Sequence, residues 1–286
     1  MAKVLGWISD HLLLLVLAVV AFSLLFPQSG ITLSVLQLPL LALMVLNVSM
    51  TIQLEDLKVI KQVPFLIFWS AFLQFVPVLL FSFVLGKVLF KGNLQTGQIL
   101  LGSLPADISA PLMVSLVGGS TALATAMLVV QMALTPIILP VAVSLLTGVK
   151  FQTPVSYLII ELAIVIVVPV ILGIAINHRF ETIKTKQPVF MGISSLCYLA
   201  LLLIVVSSNA QGIIILKAFA LVLLVVELLL NLFGYLAAFL TKLLFRKNEM
   251  YYPMLFTVGS KEFGISTASY ITPNIERRKK YGALCL

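Results

Sequence analysis

Residues 102–111 place a carboxylic acid inside an otherwise apolar stretch, and we call this segment the first break. Asp107 lies there between Pro105 and Pro111. Each proline removes an amide donor and clashes with a preceding carbonyl, so a helix through this segment is predicted to kink or unwind. An acid on unwound backbone is a candidate site for a cation, a proton or a basic partner. The alternative is a plain proline kink that leaves Asp107 near the aqueous end of the helix.

Residues 257–266 form a second polar cluster, the second break, in which Lys261 is followed by Glu262. A lysine inside an apolar helix costs roughly 2.5–3.5 kcal/mol on membrane-insertion scales and is usually paired or lines a pathway. Asp107 and Glu262 are the obvious partners, and we predict that Asp107 and Lys261 are electrostatically coupled. The alternative is that Lys261 extends along the helix to reach water.

The composition requires a membrane to surround these groups. Of the 286 residues, 61% are hydrophobic and 10% are charged, with a mean hydropathy of +1.18. A soluble domain is roughly 45–50% apolar and 25% charged, so this chain would lack a polar surface. We therefore predict an all-α polytopic membrane protein in a lipid bilayer.

Other functional classes find no support in the sequence. The 18 basic residues are scattered between apolar stretches, so no nucleic-acid partner is expected despite the net charge of +8. The 2 cysteines and 2 histidines have no metal-ligand spacing. The chain contains no nucleophile–base pattern or nucleotide-binding motif, so we expect neither an enzyme nor a cofactor.

Nine predicted helices divide the chain at polar or proline and glycine clusters. They lie near residues 11–27, 31–53, 63–90, 97–118, 120–147, 155–176, 188–208, 213–245 and 250–273. A cytoplasmic N-terminus puts 9 lysines and arginines inside and 4 outside up to the eighth helix, and the basic run 277–280 raises the outer count to 8. We expect a multi-pass protein of the cell's inner membrane with its N-terminus in the cytoplasm.

The two halves of the chain correspond. Residues 1–148 hold five predicted helices, and residues 155–286 hold four and the start of a tenth, each half with an interrupted fourth helix. Because five is odd, the second unit enters the membrane inverted, as in secondary transporters that bind substrate between two broken helices. The second unit has 286 − 154 = 132 residues against 148. The partner of the fifth helix is therefore expected to be missing, by truncation or by an early natural end.

A few further polar residues lie in apolar runs, namely Asn47, Gln74 and Asn231. Each is either part of a site or an interhelical hydrogen-bonding residue. Glu227, one turn before Asn231, is more costly in an apolar helix and therefore more informative.

Several short motifs, taken in their order, resemble the bile acid:sodium symporter family over most of the chain. They are the stretch Ser49 to Leu57, the pair Gln74-Phe75, Gly102-x-x-Pro105, and Asn231-x-x-Gly234-Tyr235 ahead of Val258-Gly259. The resemblance implies ten helices, with a panel at residues 11–53 and 155–208 and a core at 63–147 and 213–273, where broken helices 4 and 9 cross. Family members move organic anions such as bile acids, pantoate-like acids and sulfated steroids by alternating access.

The sequence departs from this family where sodium-coupled members have ion ligands. Ala110 and Pro111 replace a Ser-Asn pair, and hydroxyl ligands of the fifth helix are replaced as well, by Ala124 and Leu128. In the second break, the resemblance implies that sodium-coupled members have an acidic ligand at the position of Thr257 and a glutamine at the position of Lys261. Among the sodium-site residues of the family, only Gln74 is retained in this chain. Sodium requires several oxygen ligands and is repelled by an ammonium, so we expect weak or absent sodium dependence.

We therefore predict a secondary transporter of a small organic anion, with sodium or a proton as the candidate coupling ion and a homodimer as one open alternative. One rival is a cation/proton antiporter that uses an Asp107/Lys261 pair, as in antiporters with a crossed-helix core. Another is a non-transporting membrane binding protein. The candidate substrate-binding residues are Asp107, Ile108, Ser109, Ser260, Lys261 and Glu262. The candidate ion-coupling residues are Gln74, Asp107, Thr257 and Lys261. The candidate helix-breaking residues are Pro105, Pro111, Gly259 and Gly264.

Overall fold

The structure, a computed structural model, describes residues 11–107, 110–147, 155–180, 187–208, 210, 219–243 and 248–261. These residues are helical, with no β-strand beyond one isolated bridge, so the predicted all-α class is confirmed for them. The α-helices are α1 (Leu12–Leu25), α2 (Pro27–Thr32), α3 (Gln37–Ser49), α4 (Val59–Gln62), α5 (Pro64–Leu89), α6 (Asn93–Gly102), α7 (Ala110–Leu116), α8 (Thr121–Thr147), α9 (Val155–Leu162), α10 (Val168–Arg179), α11 (Gln187–Ser208), α12 (Phe219–Leu240) and α13 (Asn248–Gly259).

The helices have the length and surface of a membrane protein. Among the described residues, three helices are long and apolar enough to cross a bilayer, namely Pro64–Leu89, Thr121–Thr147 and Ile159–Arg179. Large apolar side chains recur every three or four residues on the outer face of α5, where Phe65 is 64% and Phe68 60% exposed. Lipid tails would cover such a stripe, whereas water would not.

Two prolines begin helices close to boundaries that the sequence predicted, near residues 27 and 63. Phe26 has a ψ of 66° and Val63 a ψ of 56°, and Pro27 and Pro64 then begin α2 and α5. A residue before proline is disfavoured in the helical region, whereas proline itself suits the first helical position. The prediction of one helix over 31–53 was wrong in its bounds, because α2 and a 3₁₀ turn precede α3, which ends at Ser49.

A wide π-helical turn, Gln74–Val78, lies in the middle of α5. It contains Pro77, which has no amide hydrogen to continue the regular i to i−4 bonding. Such turns are often found at functional sites. Here the turn begins at Gln74, whose side chain is fully buried.

The chain divides into two compact units. The first comprises Met1–Glu55 and Leu162–Val222, and α11 packs along α3 within it. Asn177 of α10 donates a hydrogen bond of 2.6 Å to the carbonyl of Ile52, which lies just beyond the end of α3. This unit is therefore held by helix packing and by short polar contacts to exposed helix ends.

The second unit comprises Asp56–Glu161 and Leu223–Leu286, and it contains both breaks. Its core draws side chains from α5, α8, α12 and α13, with Ile67, Met127, Leu230 and Met254 almost completely buried. The inverted repeat and the division into panel and core stay predictions. The site depends on how this unit holds its two broken segments.

Candidate functional site

The first break separates two helices of the second unit. Helix α6 ends at Gly102, and α7 begins at Ala110 with Pro111 in its first turn, where proline is tolerated. Ser103 turns its hydroxyl back to the carbonyls of Ile99 and Leu100, at 3.1 and 2.8 Å. The last carbonyls of a helix have no intrahelical partner, so the end of α6 offers acceptors to other elements. Pro105 lies within the break.

The second break begins where α13 ends at Gly259. Lys261 forms an antiparallel bridge with Ala106, and the amide of Asp107 donates to the carbonyl of Ser260 at 3.3 Å. The hydroxyl of Ser260 is bonded to the Phe256 carbonyl. The backbones of the two breaks are therefore joined directly, in a sheet-like contact between the segments that follow α6 and α13.

Lys261 is buried in this contact, with 2% of its surface exposed. Its ammonium donates to the carbonyls of Gly102 and Leu104, at 3.0 and 3.4 Å. The C-terminal end of a helix carries partial negative charge, which stabilises a cation at that position. The ammonium is thus held at the end of α6 and does not extend to water.

Gln74, at the π turn of α5, reaches the same backbone. Its side-chain amide donates to the Leu104 carbonyl at 2.5 Å, so this one acceptor serves both Gln74 and Lys261. The other atom of the side chain, Oε1, is buried without a hydrogen-bond partner among the described residues. The structure therefore brings Gln74 and Lys261 together, as residues predicted for one site should be.

Gln131 of α8 links the two breaks, and sequence reasoning missed it. The side chain is fully buried. Its oxygen accepts the Ala106 amide at 2.9 Å, and its nitrogen donates to the Thr257 carbonyl at 3.3 Å. The available signal was a polar residue in an apolar run, the same signal that singled out Gln74.

Thr257 is also fully buried, but its hydroxyl serves its own helix. Oγ1 donates to the Pro253 carbonyl at 2.8 Å and lies 3.5 Å from the Met127 sulfur. A threonine in this conformation satisfies local backbone. Its predicted role in ion coupling stays a prediction.

Helix α12 packs closely against the second break. A Cβ at Gly234 would meet the Val258 carbonyl oxygen, and a Cβ at Gly259 would meet the ring of Tyr235. Glycine is therefore required at both positions by the close approach of backbone and ring. Tyr235 also interacts electrostatically with Asp107 of the first break.

Glu227 of α12 interacts electrostatically with Lys261, although sequence reasoning had named Asp107 and Glu262 as the partners. Asn231, one turn further along α12, hydrogen-bonds to the Glu227 side chain. The coupling of Asp107 to Lys261 stays a prediction. Four predicted site residues lie outside the described residues, namely Ile108, Ser109, Glu262 and Gly264.

These contacts bring charged and polar groups together in the second unit. The buried ammonium of Lys261 lies against the carbonyl end of α6 and interacts electrostatically with Glu227, in a chain that is otherwise apolar. An ammonium in low-dielectric surroundings is a strong site for a carboxylate or sulfate, provided that water and substrate can reach it.

Comparisons with known proteins give one family match and two similar bacterial proteins. Residues 38–217 match the Sodium Bile acid symporter family. YocS of Bacillus subtilis (strain 168), described as an uncharacterized sodium-dependent transporter, is 27% identical over 264 residues, or 89% of this chain and 78% of that protein. YbaS of the same organism, described as an uncharacterized protein, is 26% identical over 198 residues, or 68% of this chain. The match spans 65% of YbaS, less than two thirds of its length.

Proposed function

The chain belongs to the sodium bile acid symporter family, whose members are transporters and not enzymes, and from this premise we propose that it is a secondary active transporter of a small organic anion. The observation that carries the proposal is the buried ammonium of Lys261 at the contact between the two breaks. We place the protein in the cell's inner membrane, with a cytoplasmic N-terminus as the distribution of lysine and arginine favours.

The substrate site in this proposal is the surface around the crossing. Lys261 supplies the positive charge, and Asp107, Ser260 and the flanking residues of both breaks shape the cavity around the anion. Alternating access exposes this surface first to one side of the membrane and then to the other. Two backbone carbonyls already hold the ammonium in place. A substrate carboxylate would therefore bind to a positive charge whose position is fixed in advance.

Sodium has no role in the proposed cycle. Ala110, Pro111, Ala124 and Leu128 offer no side-chain oxygen. The carbonyls of Gly102 and Leu104, which could serve as cation ligands, are occupied by the Lys261 ammonium. Two like charges about 4 Å apart repel by about 4 kcal/mol at an effective dielectric constant of 20. We therefore do not propose for this chain the sodium dependence that the description of YocS states for that protein.

Uptake by the purified full-length protein in proteoliposomes tests the proposal. Radiolabelled pantoate and taurocholate would serve as probes, in sodium and in choline buffers. We expect at least one probe to accumulate equally in both buffers. Transport that disappears in choline, or sodium binding detected by calorimetry, would show that the remaining oxygen atoms suffice for a sodium site. If Lys261→Gln did not reduce uptake, the transported anion would not bind at Lys261.

A second candidate is a cation/proton antiporter in which Asp107 alternates between a proton, a cation and Lys261. The backbone bond from Asp107 to Ser260 favours it, because it holds the acid beside the lysine-bearing segment. This function predicts that a sodium or potassium gradient moves protons across proteoliposomes when no organic anion is present. A pH-sensitive dye inside the vesicles measures that movement directly.

A further inference from the structure

One face of α12 carries a carboxylate and an amide toward the second break. Glu227, Asn231 and Gly234 are spaced by four and three residues, which puts them on one side of a helix. Gly234 fits against the carbonyl of Val258, so this side faces the second break. Lys261 lies just beyond that contact, which agrees with its electrostatic interaction with Glu227.

The Glu227–Asn231 pair lacks one hydrogen atom. Asn231 hydrogen-bonds to Glu227, yet Oε2 of Glu227 and Oδ1 of Asn231 are both buried without a hydrogen-bond partner among the described residues. A buried acceptor without a donor is unfavourable. A proton on Oε2 would add a donor to this pair, for which Oδ1 is an unused acceptor.

Aromatic side chains join α12 to its neighbours. Among the described residues, α5 meets α12 through Phe81, which stacks on Phe233 at 4.1 Å, and α13 meets it through Phe256 and Tyr251. Asp107 of the first break interacts with Tyr235, two turns from Glu227. Among the described residues, Lys261 is the cation that interacts with Glu227, and occupation of Lys261 by another anion weakens that interaction.

We propose that Glu227 and Asn231 form a proton-binding site that couples the transporter to the pH gradient; this inference rests on the proposed anion transport. In the empty site the Glu227 carboxylate is the counter-ion of the Lys261 ammonium. A substrate carboxylate takes over that ammonium, and Glu227 accepts one proton from water on the uptake side. Release reverses both events on the other side, with the proton returning to water.

The charges balance in this scheme. Substrate and proton add one negative and one positive charge, so the net charge of the buried site is the same when it is empty and when it is loaded. The occupied and empty forms then cross the membrane at similar electrostatic cost, whereas an anion alone would add an uncompensated charge in low dielectric. One proton therefore accompanies each monovalent anion.

Infrared difference spectroscopy tests the proton site without any substrate. Spectra of the full-length protein at descending pH should develop the C=O stretches of protonated carboxylic acids, and Glu227→Gln should lack the component that comes from Glu227. Glu161→Gln, which removes a half-buried glutamate of α9, is the matched control and should keep it. The same acid band in Glu227→Gln as in the parent protein would overturn the assignment.

Transport of labelled pantoate in proteoliposomes tests the coupling. A pH gradient of one unit, acidic outside, should drive about tenfold accumulation, since one unit corresponds to 1.36 kcal/mol. Glu227→Gln imitates the protonated acid, so it should retain exchange of labelled for unlabelled pantoate but lose the response to the gradient. Undiminished accumulation in Glu227→Gln would overturn the inference. Absence of pantoate transport in every protein would instead count against the proposed function for this probe, while the infrared result still decides the proton site.

Discussion

Helices α6 and α13 each end at a break, but the two breaks contribute different groups to their contact. The first break contributes backbone: the carbonyls of Gly102 and Leu104 accept, and the amide of Ala106 donates. The second break contributes a charged side chain, Lys261. The difference shows that the end of one helix can bind through its unsatisfied main-chain carbonyls. The other segment binds through a single charged side chain that donates to those carbonyls.

The largest effect on transport and stability is expected when the charged side chain of the second break is removed. Lys261→Gln deletes the ammonium and leaves the Glu227 carboxylate without its cation. We expect transport to be lost and the free energy of unfolding to fall by about 3–5 kcal/mol, as when one member of a buried pair is removed. Thermal unfolding in detergent measures the loss.

Double variants identify the acid to which Lys261 is coupled. If Glu227 is the partner, Lys261→Gln combined with Glu227→Gln should be more stable than Lys261→Gln alone. The same cycle with Asp107→Asn tests the predicted coupling to the first break. Strictly additive losses in both cycles would contradict the pairing of Lys261 with either of these acids.

A smaller effect is expected from the side chain that ties the breaks to each other. Gln131→Leu leaves the Ala106 amide and the Thr257 carbonyl without partners, and each buried unsatisfied group costs about 1–3 kcal/mol. Gln131→Glu keeps the acceptor but loses the donor when ionised, so its stability should be intermediate and should improve as the pH falls. Unfolding of both variants across pH measures this order, and parent-like stability of Gln131→Leu would refute it.

Close packing behind the second break predicts a more modest effect. Gly259→Ala pushes a methyl group against the ring of Tyr235, and such overpacking costs typically about 1–3 kcal/mol. Gly97→Ala in α6 is the matched control, because a Cβ there has no neighbour within 4 Å and alanine is the better helix former. The control should be as stable as the parent or up to about 1 kcal/mol more stable. Equal melting temperatures for the two variants would contradict the tight contact.

The smallest effect is expected at Thr257. Thr257→Val preserves the shape and removes one hydrogen bond to the Pro253 carbonyl, which is worth about 0.5–1.5 kcal/mol. A purely local hydroxyl predicts unchanged transport after this substitution. A large loss of uptake with little loss of stability would instead support the ion-coupling role predicted from the sequence.

The sequence singled out candidate residues in the breaks but not the side chains that support the breaks. Two prolines around an acid, and a lysine in an apolar run, are local signals with large energetic consequences, so Asp107 and Lys261 could be identified as candidates. Gln131 could not be assigned, because its partners are 25 and 126 residues away and both are backbone atoms. No residue type marks a carbonyl that another helix will use.

Helix geometry was only partly accessible from the sequence for a similar reason. The π turn at Gln74–Val78 contains Pro77, but the turn at Ala163–Val167 contains only Ala, Ile and Val. Widening of a helix depends on the packing around it as well as on its own residues. The sequence motifs were enough to indicate the family. The interaction of Glu227 with Lys261 could be identified only from the placement of α12 beside the second break.

Lys261 lies far along the chain from the carbonyls that it binds, and this separation affects folding during synthesis. The carbonyls of Gly102 and Leu104 leave the ribosome 159 and 157 residues before Lys261. At about 5–20 residues per second, the end of α6 waits roughly 8–30 s for its donor. During that interval water, lipid headgroups or an insertion factor must occupy those acceptors. We therefore expect ribosome-bound chains that stop short of Lys261 to be sensitive to protease at the first break, and longer chains to gain protection in one step.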